Sequence, residues 1–342
     1  MASTMKAWQW TAIHDNLEKS LVLNPNAPVP DKSTLSRDQL LVEVITAAIN
    51  PVDYKLPESG WIGGLMIRGR PATPGLDFCG RVIAKHQSNN SFHEGQLVFG
   101  AFGRAGQFGS LSQFIVISVN ECAPLPDGID PDQGAAVGCA GTTAFQSVSS
   151  DIVKPGSRVF INGGSGGVGS YAVQFAKILS AKVTTTCSTV NVELCQALGA
   201  DEVIDYKKTD VINALKEGGQ VYDLVVDNVG DPNLAKQRGT ILKPGGAFVQ
   251  VGVGKVNVPD MIAIFSRMVL PSSTSYRFIQ MKNDAAFFTH IGKWMAEGKA
   301  RAVIDEAFEF EDVPKAYEKL RTGRAKGKII IHVEKKAPHI VT

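Results

Sequence analysis

The chain has 342 residues, of which 44% are hydrophobic and 20% are charged. This length exceeds the usual range of one domain, so two domains are expected. The 35 Lys and Arg against 33 Asp and Glu give a net charge of +2, which argues against nucleic acid or an acidic membrane as a partner. Because the sequence shows neither a membrane-length apolar run nor the apolar segment of a signal peptide, a cytoplasmic location is expected.

The first third of the chain has the composition of strands joined by loops. Residues 40–45 and 114–119 are β-rich runs, and many Gly and Pro residues lie between them. This pattern predicts a β-rich domain over residues 1–126.

After residue 126, predicted strands alternate with predicted helices. The strands fall at 158–162, 181–186, 201–205, 222–227 and 247–251, and the helices at 167–180 and 193–198. Such alternation predicts a parallel sheet covered by helices on both faces. The tail adds a helix, a strand, a helix and a strand, and periodicity alone does not assign it to either domain.

A glycine-rich turn follows the strand at 158–162. Six residues fit the pattern G-x-G-x-x-G, namely Gly164, Ser165, Gly166, Gly167, Val168 and Gly169. After a strand and before a helix, this pattern indicates a dinucleotide site, because its backbone approaches a pyrophosphate and the helix N-terminus offers free N–H groups. A purely structural glycine turn is the alternative.

The loop after the next strand predicts the form of the cofactor. NAD sites usually place Asp or Glu there for the ribose hydroxyls, but residues 186–191 contain no acid. Ser188, Asn191 and Tyr206, with the lysines that follow Tyr206, are donors that suit a 2′-phosphate. The sequence therefore favours NADPH over NADH.

A set of separated motifs runs along almost the whole chain. They occupy residues 49–55, 74–80, 93–98, 140–144, 198–206, 227–230 and 327–328. In this order they resemble the medium-chain dehydrogenase/reductase superfamily, and most closely its zinc-independent quinone oxidoreductase and enoyl reductase branch. The five cysteines, odd in number and without a C-x-x-C pair, match neither a disulfide framework nor a four-cysteine zinc lobe.

The resemblance implies an α/β fold that combines a Rossmann doubly wound parallel sheet with a GroES-like β-rich domain. The GroES-like domain would comprise residues 1–126 and 281–342, and the Rossmann domain residues 127–280. It also implies a cleft between them that holds the nicotinamide. Four further residues are implied to contact the cofactor: Thr142, Asn228, Val251 and Lys328.

The departures from zinc-dependent relatives are equally informative. A catalytic Cys stands in those relatives where this chain has Asn50, and a ligand His stands where it has Leu76. Zinc needs a set of Cys, His or carboxylate ligands, so no metal is expected. Without one, reduction of an activated C=C bond is favoured, because donors near the carbonyl oxygen suffice to stabilise the enolate.

Three residues in one turn are the catalytic candidates. Asn50 would hydrogen-bond the carbonyl oxygen, and Tyr54 or Lys55 would supply the proton. The alternatives are that Asn50 only starts a turn, that Tyr54 is a core residue and that Lys55 is solvated. Asp53 and Asp77 are expected to be structural. The segments at 61–62, 102, 108 and 265–268 line the cleft in relatives, so their aromatic and apolar residues imply an apolar substrate, with a role in core or loop packing as the alternative.

The sequence thus predicts an NADPH-dependent, zinc-free reductase of α,β-unsaturated carbonyl compounds. The alternatives are a quinone oxidoreductase, a trans-acting enoyl reductase of a polyketide pathway, and a non-catalytic NADPH-binding scaffold or redox sensor. A carrier domain would need a docking surface such as the basic group Arg321, Arg324, Lys326 and Lys328. Relatives often dimerise through a strand near 268–276, which Pro271 interrupts here, so a homodimer is an open expectation.

Overall fold

The computed structural model describes residues 4–252, 258–269, 272–279 and 281–334. Its strands are β1 (Thr4–Gln9), β2 (Val22–Pro28), β3 (Gln39–Ile49), β4 (Asp77–Lys85), β5 (Leu97–Ala101), β6 (Phe114–Ser118), β7 (Cys122–Pro124), β8 (Arg158–Asn162), β9 (Lys182–Cys187), β10 (Glu202–Asp205), β11 (Tyr222–Asp227), β12 (Leu242–Gln250), β13 (Ser275–Phe278), β14 (Ile304–Glu309) and β15 (Lys328–His332).

The helices are α1 (Leu17–Ser20), α2 (Pro51–Lys55), α3 (Trp61–Met66), α4 (Pro131–Ala135), α5 (Gly138–Ser147), α6 (Gly167–Ile178), α7 (Val192–Ala197), α8 (Val211–Glu217), α9 (Pro232–Lys236), α10 (Arg238–Ile241), α11 (Val258–Val269), α12 (Ala285–Ala296) and α13 (Val313–Arg321). Short 3₁₀ turns occur at Lys32–Thr34, Val119–Glu121, Thr189–Asn191 and Phe310–Asp312. In the part of the chain that the structure describes, no helix has the length and apolar character needed to cross a membrane.

The described residues form two units. The first contains those of Met1–Cys139, Asn283–Glu297 and Ile304–Thr342, and the second those of Ala140–Lys282 and Gly298–Val303. The first boundary lies after residue 139 rather than residue 126, because α4 packs on β3, β4 and β5.

The first unit is built around a seven-stranded sheet in the order β14-β15-β3-β4-β5-β7, with β6 also pairing with β3. The tail strand β15 runs antiparallel to β3, with Ile331 opposite Ala47. Its core is apolar and includes Leu40, Phe78 and Ile329, none of them exposed. Strands from the first third of the chain and from its tail therefore build this β-rich unit.

The second unit contains a six-stranded parallel sheet in the order β10-β9-β8-β11-β12-β13. In chain order its strands run 3-2-1-4-5-6, which is the doubly wound arrangement of dinucleotide-binding folds. The strand order reverses between β8 and β11, where Asn162 pairs with Asp227. Ligands bind such sheets beyond the carboxyl ends of the strands at this point. The predicted fold class is confirmed.

The strand expected near residues 268–276, through which relatives often dimerise, does not form as one element. Helix α11 continues to Val269 and β13 begins at Ser275, so one strand does not cover residues 268–276. Leu270 and Pro271 lie outside the described residues. β13 pairs with β12 and forms one end of the six-stranded sheet.

Candidate active site

The glycine-rich turn joins β8 to α6, and two of its glycines are required by packing. A Cβ atom on Gly164 would lie 2.1 Å from the Oγ1 atom of Thr185, and one on Gly169 would lie 2.0 Å from the carbonyl oxygen of Gly163. Both distances are far below van der Waals contact. Only glycine lets the turn close and α6 approach β8 this tightly.

Gly166 is a glycine for a different reason. It is the N-cap residue of α6 and has no side chain to accept from the free N–H groups of the first turn. A Cβ atom there would meet only the Gly163 carbonyl oxygen, at an ordinary 3.6 Å. The space above Gly166 is therefore open at the N-terminus of a twelve-residue helix, where an anion is favoured. This is the place that a pyrophosphate would take.

A buried polar chain fixes the turn against the switch point of the sheet. The Oγ1 atom of Thr186 accepts from Gly163 N–H at 2.8 Å and donates to the Oδ1 atom of Asn162 at 2.6 Å. The Nδ2 atom of Asn162 donates to the Oδ1 atom of Asp227 at 3.0 Å. Sequence reasoning missed these three side chains, although polar residues at the ends of neighbouring buried strands were a signal for them.

Asp227 organises the loop that follows β11. Its carboxylate accepts from the backbone N–H groups of Val229, Gly230 and Asp231 at 3.0, 3.0 and 2.8 Å. Burial raises the pKa of Asp227, while these hydrogen bonds and that from Asn162 act against the rise. The loop that carries Asn228 is thereby held beside the glycine turn.

Two amide oxygens at this site have no hydrogen-bond partner. Asn191 donates to the hydroxyls of Ser165 and Ser188 at 3.1 and 3.3 Å, and Asn228 donates to the carbonyl oxygen of Asn162 at 3.1 Å. The Oδ1 atoms of Asn191 and Asn228 are buried and unpaired. Because an unpaired buried acceptor costs free energy, both fit a ligand that supplies donors. The residues present thus fit a bound dinucleotide.

The predicted ribose-phosphate residues lie beside an acid. Tyr206 is 51% exposed, and the Lys207 ammonium lies 5.5 Å from the centre of its ring. Asp205 accepts from the Thr189 hydroxyl at 2.6 Å, and the Lys208 ammonium is 3.8 Å from its carboxylate. A cavity of about 580 Å³ here is lined by Thr189, Val190, Val192, Glu193, Val203, Asp205 and Lys208. A phosphate here would meet both signs of charge.

The remaining predicted cofactor residues are spread over both units. Thr142 is fully buried in α5, and Val251 is half-buried beyond β12. Lys328, in contrast, is only 3% exposed within the first unit. Its ammonium donates to the carbonyl oxygen of Ile49 at 3.2 Å, to Asp77 at 2.9 Å and to the Oδ1 atom of Asn50. The geometry gives no support to a cofactor contact by Lys328.

Asn50 is therefore part of a buried ionic cluster. Its carboxamide receives Lys328 at Oδ1, and its Nδ2 atom donates to the Oδ2 atom of Asp77 at 2.9 Å. The other oxygen of Asp77 accepts from the Cys139 N–H group at 2.7 Å. The side chains come from the end of β3, from β4 and from β15, which are adjacent in the sheet. We call Asn50, Asp77 and Lys328 the buried triad.

Asp53 supplies a second buried carboxyl group beside the buried triad. Its Oδ2 atom accepts from the Asn50 N–H group at 2.7 Å, and the buried Tyr317 hydroxyl faces its carboxyl group. Burial, and then the charge of Asp77, raise the pKa of Asp53 to about 8. Asp53 is thus mainly a neutral acid at pH 7, while Asp77 pairs directly with the ammonium.

Tyr54 and Lys55 end the same short helix. The Arg321 guanidinium lies 4.3 Å from the centre of the Tyr54 ring, and Arg321 also bonds to Glu18 and Glu58. Burial raises the pKa of Tyr54 and lowers the pKa of Lys55. Consecutive helical residues point about 100° apart, so these two side chains face different directions.

The predicted basic docking surface does not form as expected. Arg321 is held by two carboxylates, and Lys328 is buried in the triad. Only Arg324 and Lys326 of that group remain outside these two clusters. Among the predicted apolar residues, Trp61, Phe108 and Phe265 are 71%, 73% and 66% exposed, whereas Phe102 packs against the core.

Comparison with known proteins gives two family matches and several full-length relatives. Residues 36–127 match the alcohol dehydrogenase GroES-like domain, and residues 198–331 match the zinc-binding dehydrogenase family. The chain is 44% identical over 347 residues to the trans-enoyl reductase pgmF of Aspergillus terreus, with 97% of each chain covered. It is 31% identical to the 2-methylene-furan-3-one reductase of Solanum lycopersicum, covering 96% of this chain and 79% of that one.

Among solved structures, the quinone oxidoreductase from Coxiella burnetii is similar with a TM-score of 0.84 and 28% identity, covering 96% of this chain and 99% of that one. The chain belongs to the medium-chain dehydrogenase/reductase superfamily. Within it, the protein is an NAD(P)H-dependent oxidoreductase of the quinone oxidoreductase and enoyl reductase type. The prediction of this family is confirmed.

The zinc in the name of one matching family does not fit the residues of this chain. Of the two ligand positions that the resemblance identifies, Leu76 is a 4% exposed core residue, and Asn50 already binds an ammonium. That ammonium would repel a divalent cation from the carboxamide. Within the described ranges, no three His, Cys, Asp or Glu residues are grouped as a metal would require.

Proposed function

We propose that this oxidoreductase uses NADPH to reduce the C=C bond of α,β-unsaturated carbonyl compounds that are small and apolar. The observation that carries the proposal is the buried triad, which binds the Asn50 carboxamide to a resident cation without metal ligands. A carboxamide held in this way can stabilise an enolate oxygen by hydrogen bonding, whereas it supplies no Lewis acid for the oxidation of an alcohol. The names of the reductases from Aspergillus terreus and Solanum lycopersicum support the same chemistry.

The cofactor would be held by residues of the second unit. The open N-terminus of α6 at Gly166 suits the pyrophosphate, and the unpaired oxygens of Asn191 and Asn228 suit donors of the nucleotide. When bound, the cofactor supplies the hydride that reduces the β-carbon of the substrate. Ser188, Tyr206 and the neighbouring lysines would favour the 2′-phosphate, whereas the carboxylates of Asp205 and Glu193 would repel it.

The first unit would supply the polar groups for the substrate. One Nδ2 hydrogen of Asn50 is directed to Asp77, and we assign the second to the substrate carbonyl oxygen, where negative charge develops. Lys55 would protonate the α-carbon, because its lowered pKa makes the ammonium a better acid. Tyr54 is the alternative proton source, and its raised pKa keeps the phenol protonated.

A quinone is the second candidate substrate, supported by the similarity to the quinone oxidoreductase from Coxiella burnetii. The two chemistries differ in their demand for a proton donor. Reduction of a C=C bond requires a proton at carbon, whereas a reduced quinone takes its protons on oxygen from solvent. Replacement of Lys55 should therefore slow the first reaction more than the second.

The test is the oxidation of NADPH and of NADH, followed by absorbance, with an enal, an enone, an enoyl thioester, a quinone and a plain ketone. We expect turnover with NADPH and at least one C=C acceptor, and none with the ketone. Turnover of the quinone alone would replace the proposal by the second candidate. Tight NADPH binding without turnover of any acceptor would favour a binding protein.

A further inference from the structure

The orientation of the Asn50 carboxamide is dictated by its two charged neighbours. An ammonium only donates hydrogen bonds and a carboxylate only accepts them, so Lys328 must face the oxygen and Asp77 the nitrogen. A reversed amide would place its NH₂ group against the ammonium and its oxygen against the carboxylate. The buried triad therefore leaves one defined N–H of Asn50 for another acceptor.

The two charged residues are themselves fixed. Lys328 also donates to the Ile49 carbonyl oxygen at 3.2 Å, and Asp77 also accepts from the Cys139 N–H group at 2.7 Å. The side chains of Lys328 and Asp77 are 3% and 0% exposed. Buried hydrogen bonds to charged groups are strong and polarise the groups that they join. The carboxamide is thus both oriented and polarised.

The titratable groups around the triad do not compete for the hydrogen bonds that polarise the Asn50 carboxamide. The charged and titratable groups that face it are Asp53 on α2 and Tyr317 on α13, besides its own members on β4 and β15. Asp53 accepts from the Asn50 backbone rather than from the ammonium. Within the described ranges, the ammonium therefore donates to Asp77, to Asn50 and to the Ile49 carbonyl oxygen.

We propose that Lys328 and Asp77 are positioning residues for the reduction, because together they aim one N–H of Asn50 at the substrate oxygen, and the Lys328 ammonium at Oδ1 increases the strength of that N–H as a donor. This inference rests on the proposed function. It assigns Lys328 to turnover through Asn50, and it replaces the expectation that Lys328 contacts the cofactor. A positioning role of Lys328 predicts a loss of kcat, whereas a cofactor contact predicts a loss of NADPH affinity.

The test is a double-mutant cycle between Lys328→Met and Asn50→Leu, with kcat, KM and the Kd for NADPH measured for each variant. If Lys328 acts through Asn50, each single change lowers kcat at least about tenfold, and the double variant is no slower than Asn50→Leu alone. The Kd for NADPH stays within about twofold. Additive losses would overturn the proposal, and so would a raised Kd with unchanged kcat.

Two further measurements keep the test independent of folding and of the substrate. Lys328→Met with Asp77→Leu removes both charges together, which avoids an unpaired buried charge if the single variant is unstable. It should show the same loss of kcat. In protein labelled with ¹⁵N-asparagine, the side-chain NH₂ signal that Asn50→Leu abolishes should shift in this charge-free variant. A shift without turnover of any C=C acceptor would refute the proposed function alone, and an unchanged signal would refute the positioning role.

Discussion

The ammonium of Lys328 lies 2.9 Å from the Oδ2 atom of Asp77, although 251 residues separate them along the chain. The pair joins β15 to β4 on either side of β3, and the end of β3 supplies Asn50 between them. A buried ion pair contributes little net stability, but the loss of one partner leaves a charge without compensation. The pair therefore couples the stability of the first unit to the orientation of Asn50.

We expect Asp77→Asn to lower the free energy of unfolding by about 3–5 kcal/mol, because the Lys328 ammonium would lose its only carboxylate partner among the described contacts. Urea denaturation followed by circular dichroism measures this. The matched control is Asp15→Asn, which breaks the pair between Asp15 and Lys19 on the surface, where both side chains are more than 60% exposed. That loss should be far smaller, because solvent screens an exposed ion pair. Equal losses would contradict the buried-pair interpretation.

Asp53 predicts a dependence of stability on pH. Its pKa is about 8 in the folded protein and about 4 in an unfolded chain, so between these values the folded state holds a proton that the unfolded state has released. The contribution of this group is complete below pH 4 and is lost as the pH rises through 8. Asp53→Asn resembles the neutral acid, because its amide oxygen can still accept from the Asn50 N–H group.

The measurement for Asp53 is urea denaturation at pH 5.5 and pH 8. We expect the free energy of unfolding of Asp53→Asn, relative to the unchanged protein, to rise between these two values. Asp15→Asn, at a side chain that is 63% exposed, should show no such relative rise. If the two proteins lose stability in parallel, Asp53 is ionised in the folded state.

The fold could be predicted from sequence because its signals are local. Strands β8 and β11 and the glycine turn were placed within their observed bounds by apolar runs and by the G-x-G-x-x-G pattern. Strand β12 begins at Leu242, earlier than predicted, because Leu242 already pairs with Tyr222 of β11, and the register shifts over the polar stretch before Ala247. Propensity alone excluded that stretch, since Gly and Pro disfavour strands.

The partners within the site could not be predicted in the same way. Asn50 was recognised as a polar residue in a motif, but nothing local indicates that Lys328 and Asp77 hold its carboxamide. Lys328 follows a glycine and resembles a cofactor-binding lysine until β15 is placed beside β3. Arg321 likewise has the sequence context of a solvated helix end, and only the tertiary fold brings Glu18 and Glu58 to it. Such contacts depend on tertiary pairing and leave no periodic signal.

The glycine turn predicts opposite effects of one methyl group at two positions. Gly166→Ala should leave the free energy of unfolding within about 0.5 kcal/mol and raise the Kd for NADPH at least about tenfold, because its Cβ would enter only the open space for the pyrophosphate. Gly169→Ala should instead destabilise the protein, since its Cβ would lie 2.0 Å from a carbonyl oxygen. Thermal unfolding and fluorescence titration with NADPH separate the two effects.

Gly239→Ala is the control for the glycine variants, because it lies in helix α10 with nothing within 4 Å of its Cβ position. It should neither lower the stability of the protein nor weaken the binding of NADPH. Unchanged NADPH affinity in Gly166→Ala would place the pyrophosphate elsewhere.

Lys55 predicts the pH dependence of turnover. If its ammonium donates the proton to the α-carbon, kcat for a C=C acceptor falls as the pH rises through a pKa that burial has lowered from 10.5. In Lys55→Met this limb of the profile should disappear, and kcat should fall by about a hundredfold at neutral pH. Tyr54→Phe is the matched variant on the same helix, and it should keep the limb. If Tyr54→Phe abolishes it and Lys55→Met retains it, the phenol of Tyr54 is the proton donor, and the ring packed against Arg321 is the catalytic group.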